Sequence, residues 1–207
     1  MEENTPYAVW NTDTKKMTFY YDKVARPFGD NQMVFFITKS NSYDRVWKYA
    51  CAEKVVIAEF DESFAAFKAL DLSTWFSGFK SLKKIVGMQY LDTSEAQLMV
   101  EMFSECEALE ELDLSNFNTD KVFNMLSMFY RMSSIKELDL SSFNTSNVEQ
   151  MRYLFKHDEN LKTIYVTDAF STERVGNSDN EMFYGCVNLV GAIPYDADVT
   201  DKRHANY

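Results

Sequence analysis

Two stretches of the chain repeat nearly the same order of apolar and polar residues. LEELDLSNFNTDKVFNM begins at Leu109, and IKELDLSSFNTSNVEQM begins at Ile135, 26 residues later. Self-similarity at a period in the twenties is typical of stacked repeats, because one such unit is too small to bury its own apolar face. A phenylalanine recurs at intervals of 26 to 28 residues, at Phe76, Phe103, Phe129, Phe155 and Phe183. The pattern therefore predicts one array of stacked units.

Within each unit the spacing of the hydrophobic residues changes. In the first half they occur at every second position, and in the second half at every third or fourth position. Leu112 and Leu114 flank Asp113, an alternation that places both leucines on one face of a strand. In Val122–Phe129, and again in Val148–Phe155, the apolar residues gather on one stripe of a short helix. Threonine hydroxyls placed to cap these helices are at Thr93, Thr119, Thr145 and Thr172. Each unit is thus predicted to be a strand, a turn and a short helix.

The first fifty or so residues carry a different pattern. Tyr7–Trp10 and Met17–Tyr21 are β-prone runs joined by a polar connector, which predicts a β-hairpin. Met33–Ile37 predicts a further strand. The open end of an array exposes apolar side chains and strand edges, so we expect this β-rich region to cover one end.

These patterns divide the chain into three parts. Residues 1–54 are the predicted N-terminal cap, residues 55–190 the repeat array, and residues 191–207 a C-terminal capping loop and tail. Val55–Phe60 is predicted to be the first strand of the array. The predicted fold class is α/β, a solenoid whose successive strands form one parallel sheet.

Composition narrows the choice of partner. The chain has 207 residues, of which 46% are hydrophobic and 26% charged, as in ordinary soluble globular proteins. A net charge of −11 would repel nucleic-acid phosphates, so nucleic acid is not expected as a partner.

No apolar run approaches the length of a membrane span, about 18 residues. The start lacks the basic and apolar regions of a secretory signal, which leaves a cytosolic protein or the mature part of an exported one.

Residues suited to catalysis or metal binding are few. His157 and His204 are the only histidines, and nothing in the sequence brings either together with a nucleophile. Cys51, Cys106 and Cys186 match no metal-ligand spacing and are expected to be free and buried. We therefore predict no enzymatic activity, no cofactor and no metal site, with a hydrolase kept as an alternative that turnover assays would test.

Four acidic residues are predicted to point outward from neighbouring strands. Asp113 and Asp139 recur in register, with Glu111 and Glu137 beside them. Side by side they would form an acidic row that could hold a cation or meet a basic partner. Alternatively, the aspartates belong to the repeat itself and accept hydrogen bonds from nearby hydroxyls or amides. The second interpretation is favoured, because the aspartates recur at the repeat period.

Exposed positions that differ between units are candidates for contacts with a particular partner. On the strand face these are Lys84, Val86, Tyr165 and Thr167, together with the acidic pairs Glu111, Asp113, Glu137 and Asp139. Tyr165 is aromatic where the two preceding units have aspartate, and tyrosine is favoured at interfaces. A single exposed aromatic residue is also ordinary on a protein surface.

The repeat units resemble a known family. LDLSNFNTDKVFNMLSMF, LDLSSFNTSNVEQMRYLF and the later MFYGCVNL are similar to the BspA-like leucine-rich repeats of bacterial surface proteins and surface lipoproteins. The likeness extends to MTFYYD near the start and to IVGMQYLDTSEAQLMVEMF. It implies a leucine-rich-repeat fold, export with removal of a leader, display at the cell surface and a protein-binding or adhesive role.

The leading hypothesis from the sequence is a secreted or surface-displayed protein-binding module that uses the exposed strand face. The alternative is a structural spacer repeat within a larger envelope protein, with no ligand of its own. The identity of the protein partner is left open.

Overall fold

The structure is a computed structural model that describes residues 3–23, 28–38, 46–176, 181–191 and 196. His204 and most of the predicted C-terminal loop and tail lie outside the described residues. The described strands are β1 (Thr5–Asn11), β2 (Lys16–Asp22), β3 (Gln32–Phe36), β4 (Ile57–Phe60), β5 (Lys84–Val86), β6 (Glu137–Asp139) and β7 (Thr163–Tyr165). One short α-helix, α1 (Val46–Ala50), and 3-10 helices at Ala52–Lys54, Glu62–Ala66 and Met88–Tyr90 complete the described regular elements.

The predicted N-terminal hairpin is confirmed. β1 and β2 pair antiparallel in a register that places Trp10 opposite Met17. In the turn, Asn11 Oδ1 accepts the amides of Asp13 at 3.0 Å and Thr14 at 2.9 Å. Such a local side-chain bond satisfies backbone donors that the turn would otherwise leave unpaired. The strand predicted at Met33–Ile37 is β3, which pairs antiparallel with β1.

The hairpin lies at the centre of the main sheet. The strand order is β3-β1-β2-β4-β5, in which β2 pairs parallel with β4 and β4 pairs parallel with β5. The strand predicted at Val55–Phe60 is confirmed as β4. Antiparallel and parallel pairs therefore share one mixed sheet, which joins the first residues of the chain directly to the repeats.

The prediction of short helices at Val122–Phe129 and Val148–Phe155 is wrong. Each segment begins with an isolated parallel bridge, at Asn124 and Gln150 respectively, and continues as turns. The backbone adopts positive φ twice, four residues apart, in each of three units: at Glu101 and Glu105 (φ 53° and 60°), Ser127 and Arg131 (55° and 57°), and Tyr153 and His157 (62° and 66°). An α-helix requires φ near −63°, so two such residues interrupt it. The apolar spacing predicted the buried side chains but could not reveal these reversals.

Hydrogen bonds between units explain the unusual backbone. The amides of Glu101, Phe103 and Glu105 donate to carbonyls of the next unit at 2.9, 2.9 and 2.7 Å. The amides of Ser104 and Cys106, which alternate with them, close turns to the third residue before, each at 3.2 Å. Alternate amides thus point to the next unit and back into the same unit. A helix would direct all of them within the segment.

The predicted threonine caps are also wrong for three of the four threonines. The hydroxyl of each of these three threonines instead forms two hydrogen bonds with the next unit. It donates one to a backbone carbonyl and accepts the other from a backbone amide. For Thr119 both bonds are to Asn144 and measure 2.9 Å, and for Thr145 both are to Ser171 and measure 2.7 Å. Thr93 bonds Asn118 in the same way. The buried threonines therefore join neighbouring units.

The continuous parallel sheet of a leucine-rich-repeat-type solenoid is the main prediction that the structure contradicts. Leu112–Leu114, which was predicted to be a strand, has no strand pairing within the described residues. β6 and β7 form a separate two-stranded parallel sheet in the register Leu138 to Ile164. The described chain is thus a five-stranded mixed sheet, a small second sheet and a few short helices, joined by long successions of turns.

Like charges help to explain the break in the sheet. In a parallel pairing, Glu111 would lie opposite Glu137, and Asp113 opposite Asp139, about 4.8 Å apart. Like charges at that separation destabilise strand pairing. A groove also separates β5 from Glu110–Asp113 and is lined by residues of both. Among the described residues, the acidic segment therefore has no sheet neighbour on either side.

A single hydrophobic core runs through the described chain. It begins in an aromatic cluster where Phe19 stacks on Phe60 at 4.8 Å between ring centroids, and Trp75 stacks on Phe19 at 5.6 Å. It continues along the phenylalanine column, in which successive rings lie 5.3 to 6.0 Å apart and within 11° of parallel, through Phe76, Phe103, Phe129, Phe155 and Phe183. The predicted in-register burial of these phenylalanines is confirmed. The boundaries at residues 54 and 190 stay predictions.

Candidate functional site

All eight side chains predicted for the strand face are exposed. Lys84 and Val86 belong to β5, Glu137 and Asp139 to β6, and Tyr165 to β7, whereas Thr167, Glu111 and Asp113 lie outside strands. β5 ends the five-stranded sheet and β6 begins the other, so the eight residues do not share a continuous sheet. Together they form the strand-face surface, a name kept below for these eight residues.

Two grooves interrupt the strand-face surface. One of about 500 Å³ lies between β5 and the acidic segment, lined by Lys84, Glu111 and Asp113 among others. A second, of about 350 Å³, is lined by Asp113 and Asp139 with the serines that follow them. The face predicted to be the exposed side of one parallel sheet is therefore ridged, with a lysine at one side and carboxylates at the other. Its charged residues, one lysine and four carboxylates, give the surface a net charge of −3.

The aspartates of this surface belong to the fold, as the favoured interpretation predicted. Asp113 Oδ1 accepts the amide of Ser115 at 3.0 Å, and Asp139 Oδ1 accepts that of Ser141 at 2.9 Å. The hydrogen bonds from Ser115 lower the pKa of Asp113 below its ordinary value. Each aspartate thus stabilises the turn that ends its own segment. No three histidine, cysteine or acidic side chains of the described residues lie together as metal ligands would.

Tyr165 is the largest apolar feature of this surface. It pairs with Asp139 across β6 and β7, and its backbone carbonyl accepts the amide of Leu140 at 2.8 Å. The neighbouring Leu138, Leu140 and Ile164 are buried. The side chain is 40% exposed, so part of the ring is accessible to a partner.

His157 lies on another face, among aromatic and cationic side chains. Its ring meets the edges of Tyr130 and Tyr184 at 6.0 and 5.6 Å between centroids. Burial, followed by the charges of Lys156 and Arg131, lowers the pKa of His157. A lowered pKa leaves the imidazole mainly neutral at pH 7.

The predicted free, buried cysteines are confirmed. Burial raises the pKa of Cys51 to about 12, and it also raises the pKa of Cys106 and Cys186. The thiol of Cys106 donates to the carbonyl of Phe76 at 3.2 Å, and that of Cys186 to the carbonyl of Phe155 at 2.8 Å. Thiols kept protonated in this way are poor nucleophiles and poor metal ligands.

Sequence reasoning missed a buried carboxyl group at Asp158. In the repeat register it follows Cys106 and Met132 and precedes Cys186, and its exposure is 0%. Its Oδ1 accepts the amide of Met132 at 2.7 Å, whereas its Oδ2 has no partner within the described residues. Burial raises the pKa of Asp158 well above its ordinary value. An acid in a column of apolar residues was the signal that could have revealed it.

The described helices are all too short to cross a bilayer, so the structure shows no membrane-spanning helix in this part of the chain. Comparison with curated proteins gives no match, and comparison with solved structures gives none either. A family model matches residues 63–195, which cover the repeat region from the 3-10 helix after β4 onward. On that match the chain belongs to the family described as "Mycoplasma protein of unknown function, DUF285".

Proposed function

We propose that this chain is a non-enzymatic protein-binding module displayed at the surface of a bacterium or secreted by it, with an adhesive role of the BspA-like kind. The strand-face surface is its binding site. The supporting observation is that all eight residues are exposed, and that Lys84, Val86 and Tyr165 differ in chemistry from the acidic residues at equivalent places in the two middle units. A surface of this kind can be specific for one partner while the buried columns keep their shape.

The partner expected from charge is a basic region of another protein. Four carboxylates on this surface attract lysine and arginine side chains and speed their encounter with it. Tyr165 supplies an anchor beside them, because tyrosine adds buried area at little entropic cost. The two grooves leave room for side chains of the partner between the ridges.

Binding is tested by capture from host matrix proteins with paired variants. Tyr165→Ala and Glu137→Lys should weaken capture of a partner. Phe123→Ala and Glu149→Lys are matched controls, since they make the same chemical changes at exposed positions outside the strand-face surface. If the controls weaken capture as much, the strand face is not the site.

A structural spacer is the second candidate, and the bonding between units favours it. Stacked phenylalanines and paired threonine bonds hold successive units in a fixed relation, which suits a part that only sets a distance. A spacer would capture no partner with either the parent or the variants. Surface display is tested separately, by labelling intact cells with a reagent that cannot cross the membrane. Lack of labelling would contradict it.

A further inference from the structure

A second surface lies on the turn segments that flank the phenylalanine column. The residue after each column phenylalanine changes along the chain from Ser77 and Ser104 to Tyr130, Lys156 and Tyr184. Small residues thus give way to large aromatic and cationic ones in the later units. Six residues form what we call the cation–tyrosine patch: Tyr130, Arg131, Arg152, Tyr153, Lys156 and Tyr184.

Cations of the patch lie over its rings. The guanidinium carbon of Arg152 is 4.4 Å from the centroid of Tyr153, and Lys156 Nζ is 4.3 Å from the same centroid. Lys156 Nζ is also 5.2 Å from the centroid of Tyr184. The guanidinium carbon of Arg131 is 5.2 Å from Tyr130. Cation–π attraction at these distances holds the charged groups in place before any partner arrives.

The patch is locally positive in a chain of net charge −11. Lys156 forms an ion pair with Glu181, and Arg152 lies 4.0 Å from the other oxygen of that carboxylate. Arg131 has no ion pair within the described residues, and both arginines are exposed. Glu159 and Glu181 are the carboxylates whose charges act on the adjoining His157. Even with both of them included, three cations stand against two carboxylates.

A groove leads away from the patch. It has a volume of about 400 Å³ and is lined by Tyr130, Tyr153 and Lys156 at one end and by Lys48 of α1 at the other. Short side chains line the space between, because the earlier units have serine and glycine there: Ser77, Gly78, Ser104 and Ser127. The acidic residues in this lining are within 4 Å of lysines, since Glu101 lies 3.6 Å from Lys48 and Glu105 lies 3.7 Å from Lys80.

We propose that the cation–tyrosine patch binds an acidic segment of a protein partner, with carboxylates on Arg131 and Arg152 and the extended chain in the groove. Arginine presents a planar fork that matches a carboxylate, and a fork already stacked on a ring loses less freedom when it binds. Two cations lie over Tyr153, so that ring is poorly placed to stack against a sugar. This surface shares no residue with the strand-face surface and does not depend on its role.

The test measures binding of a fluorescein-labelled oligoglutamate peptide to the whole chain by anisotropy. We expect saturable binding at physiological ionic strength and weaker binding at high salt, which screens exposed charges. Arg131→Gln with Arg152→Gln should weaken binding about two- to thirty-fold, the range for loss of two exposed charge pairs. Lys136→Gln with Lys162→Gln removes the same charge at exposed positions outside both surfaces and should leave binding nearly unchanged. An oligoglutamine peptide should not bind.

Four results would overturn the proposal. The first is no saturable binding of oligoglutamate by the parent chain. The second is an equal loss in both double variants, which would mean that only overall charge matters. The third is stronger binding of oligogalacturonate, a carboxylated sugar, than of the peptide. The fourth is self-association of the parent chain, measured by sedimentation, that the arginine substitutions abolish, because the occupant would then be a second copy. Circular dichroism of each variant confirms that it is folded.

Discussion

Replacing Asp158 by asparagine should stabilise the protein at neutral pH. Asparagine keeps an oxygen that can accept the amide of Met132, now bonded to Asp158 Oδ1 at 2.7 Å, but it cannot ionise. The aspartate at pH 7 must either hold a proton or bury a charged carboxylate whose Oδ2 has no partner in the described part of the chain. Both options cost free energy that the unfolded chain, with an exposed carboxylate, does not incur.

The coupling between proton binding and folding sets an upper limit on the stabilisation expected from Asp158→Asn. Burial raises the folded-state pKa of Asp158, so the folded chain binds the proton more tightly than the unfolded chain. The contribution of Asp158 to the free energy of unfolding is therefore fully present below the pKa of the unfolded chain, about 3.9. It is lost as the pH rises toward the pKa of the folded chain. Holding the proton at pH 7 costs at most about 4 kcal/mol, because each pH unit above the unfolded pKa costs about 1.4 kcal/mol. We expect asparagine to recover about 1–4 kcal/mol at pH 7 and little near pH 4.

Urea unfolding across this pH range measures the difference directly. Tryptophan fluorescence reports the transition, because Trp47 and Trp75 are buried. Linear extrapolation gives the free energy of unfolding for parent and variant at each pH. Asp168→Asn is the matched control at an exposed aspartate, where a change within about 0.5 kcal/mol is expected. A difference between Asp158→Asn and the parent that does not grow between pH 4 and pH 7 would refute the reasoning.

Five further substitutions test the packing of the fold by the same unfolding measurement. Leu140→Ala should lower the free energy of unfolding by about 2–5 kcal/mol, because the side chain is fully buried, and Asp113→Asn should lower it much less. The opposite ranking would mean that the strand faces are reversed. Gly87→Ala should destabilise the protein more than Gly78→Ala. Both glycines have positive φ, but only at Gly87 would a Cβ lie 2.3 Å from the carbonyl oxygen of Phe60. Equal losses would mean that the destabilisation comes from the backbone angle alone. Thr145→Val should cost about 1–3 kcal/mol for each backbone group of Ser171 left unpaired, and no loss would contradict the bonding between units.

Features that depend on side-chain chemistry at one position could be predicted from the sequence. The period of 26 to 28 residues located Phe103, Phe129 and Phe155, because burial selects the same apolar residue at each return of the chain. The aspartate–serine order at Asp113 predicted a local hydrogen bond, since its donor is two residues away. The hairpin around Asn11 was predictable for the same reason.

Features that depend on neighbouring units were not predictable in this way. Asp158 appears in the sequence as one exception in a column, but only packing shows that no described residue bonds its Oδ2. The cation–tyrosine patch could have been sought with the rule applied to the strand face, by comparing the residue after each column phenylalanine. Its stacking of Arg152 and Lys156 on one ring required the three-dimensional arrangement.

By itself, the sequence determined the repeat, its period, the buried columns and the N-terminal hairpin, because each follows from the spacing of apolar residues or from a turn a few residues long. Only the tertiary structure decided that the segments after Thr119 and Thr145 are turns and not helices, and that the main sheet is mixed. The physical reason is where the backbone amides donate. Glu101, Phe103 and Glu105 donate to carbonyls of the next unit, each 25 residues further along the chain, which no local pattern specifies.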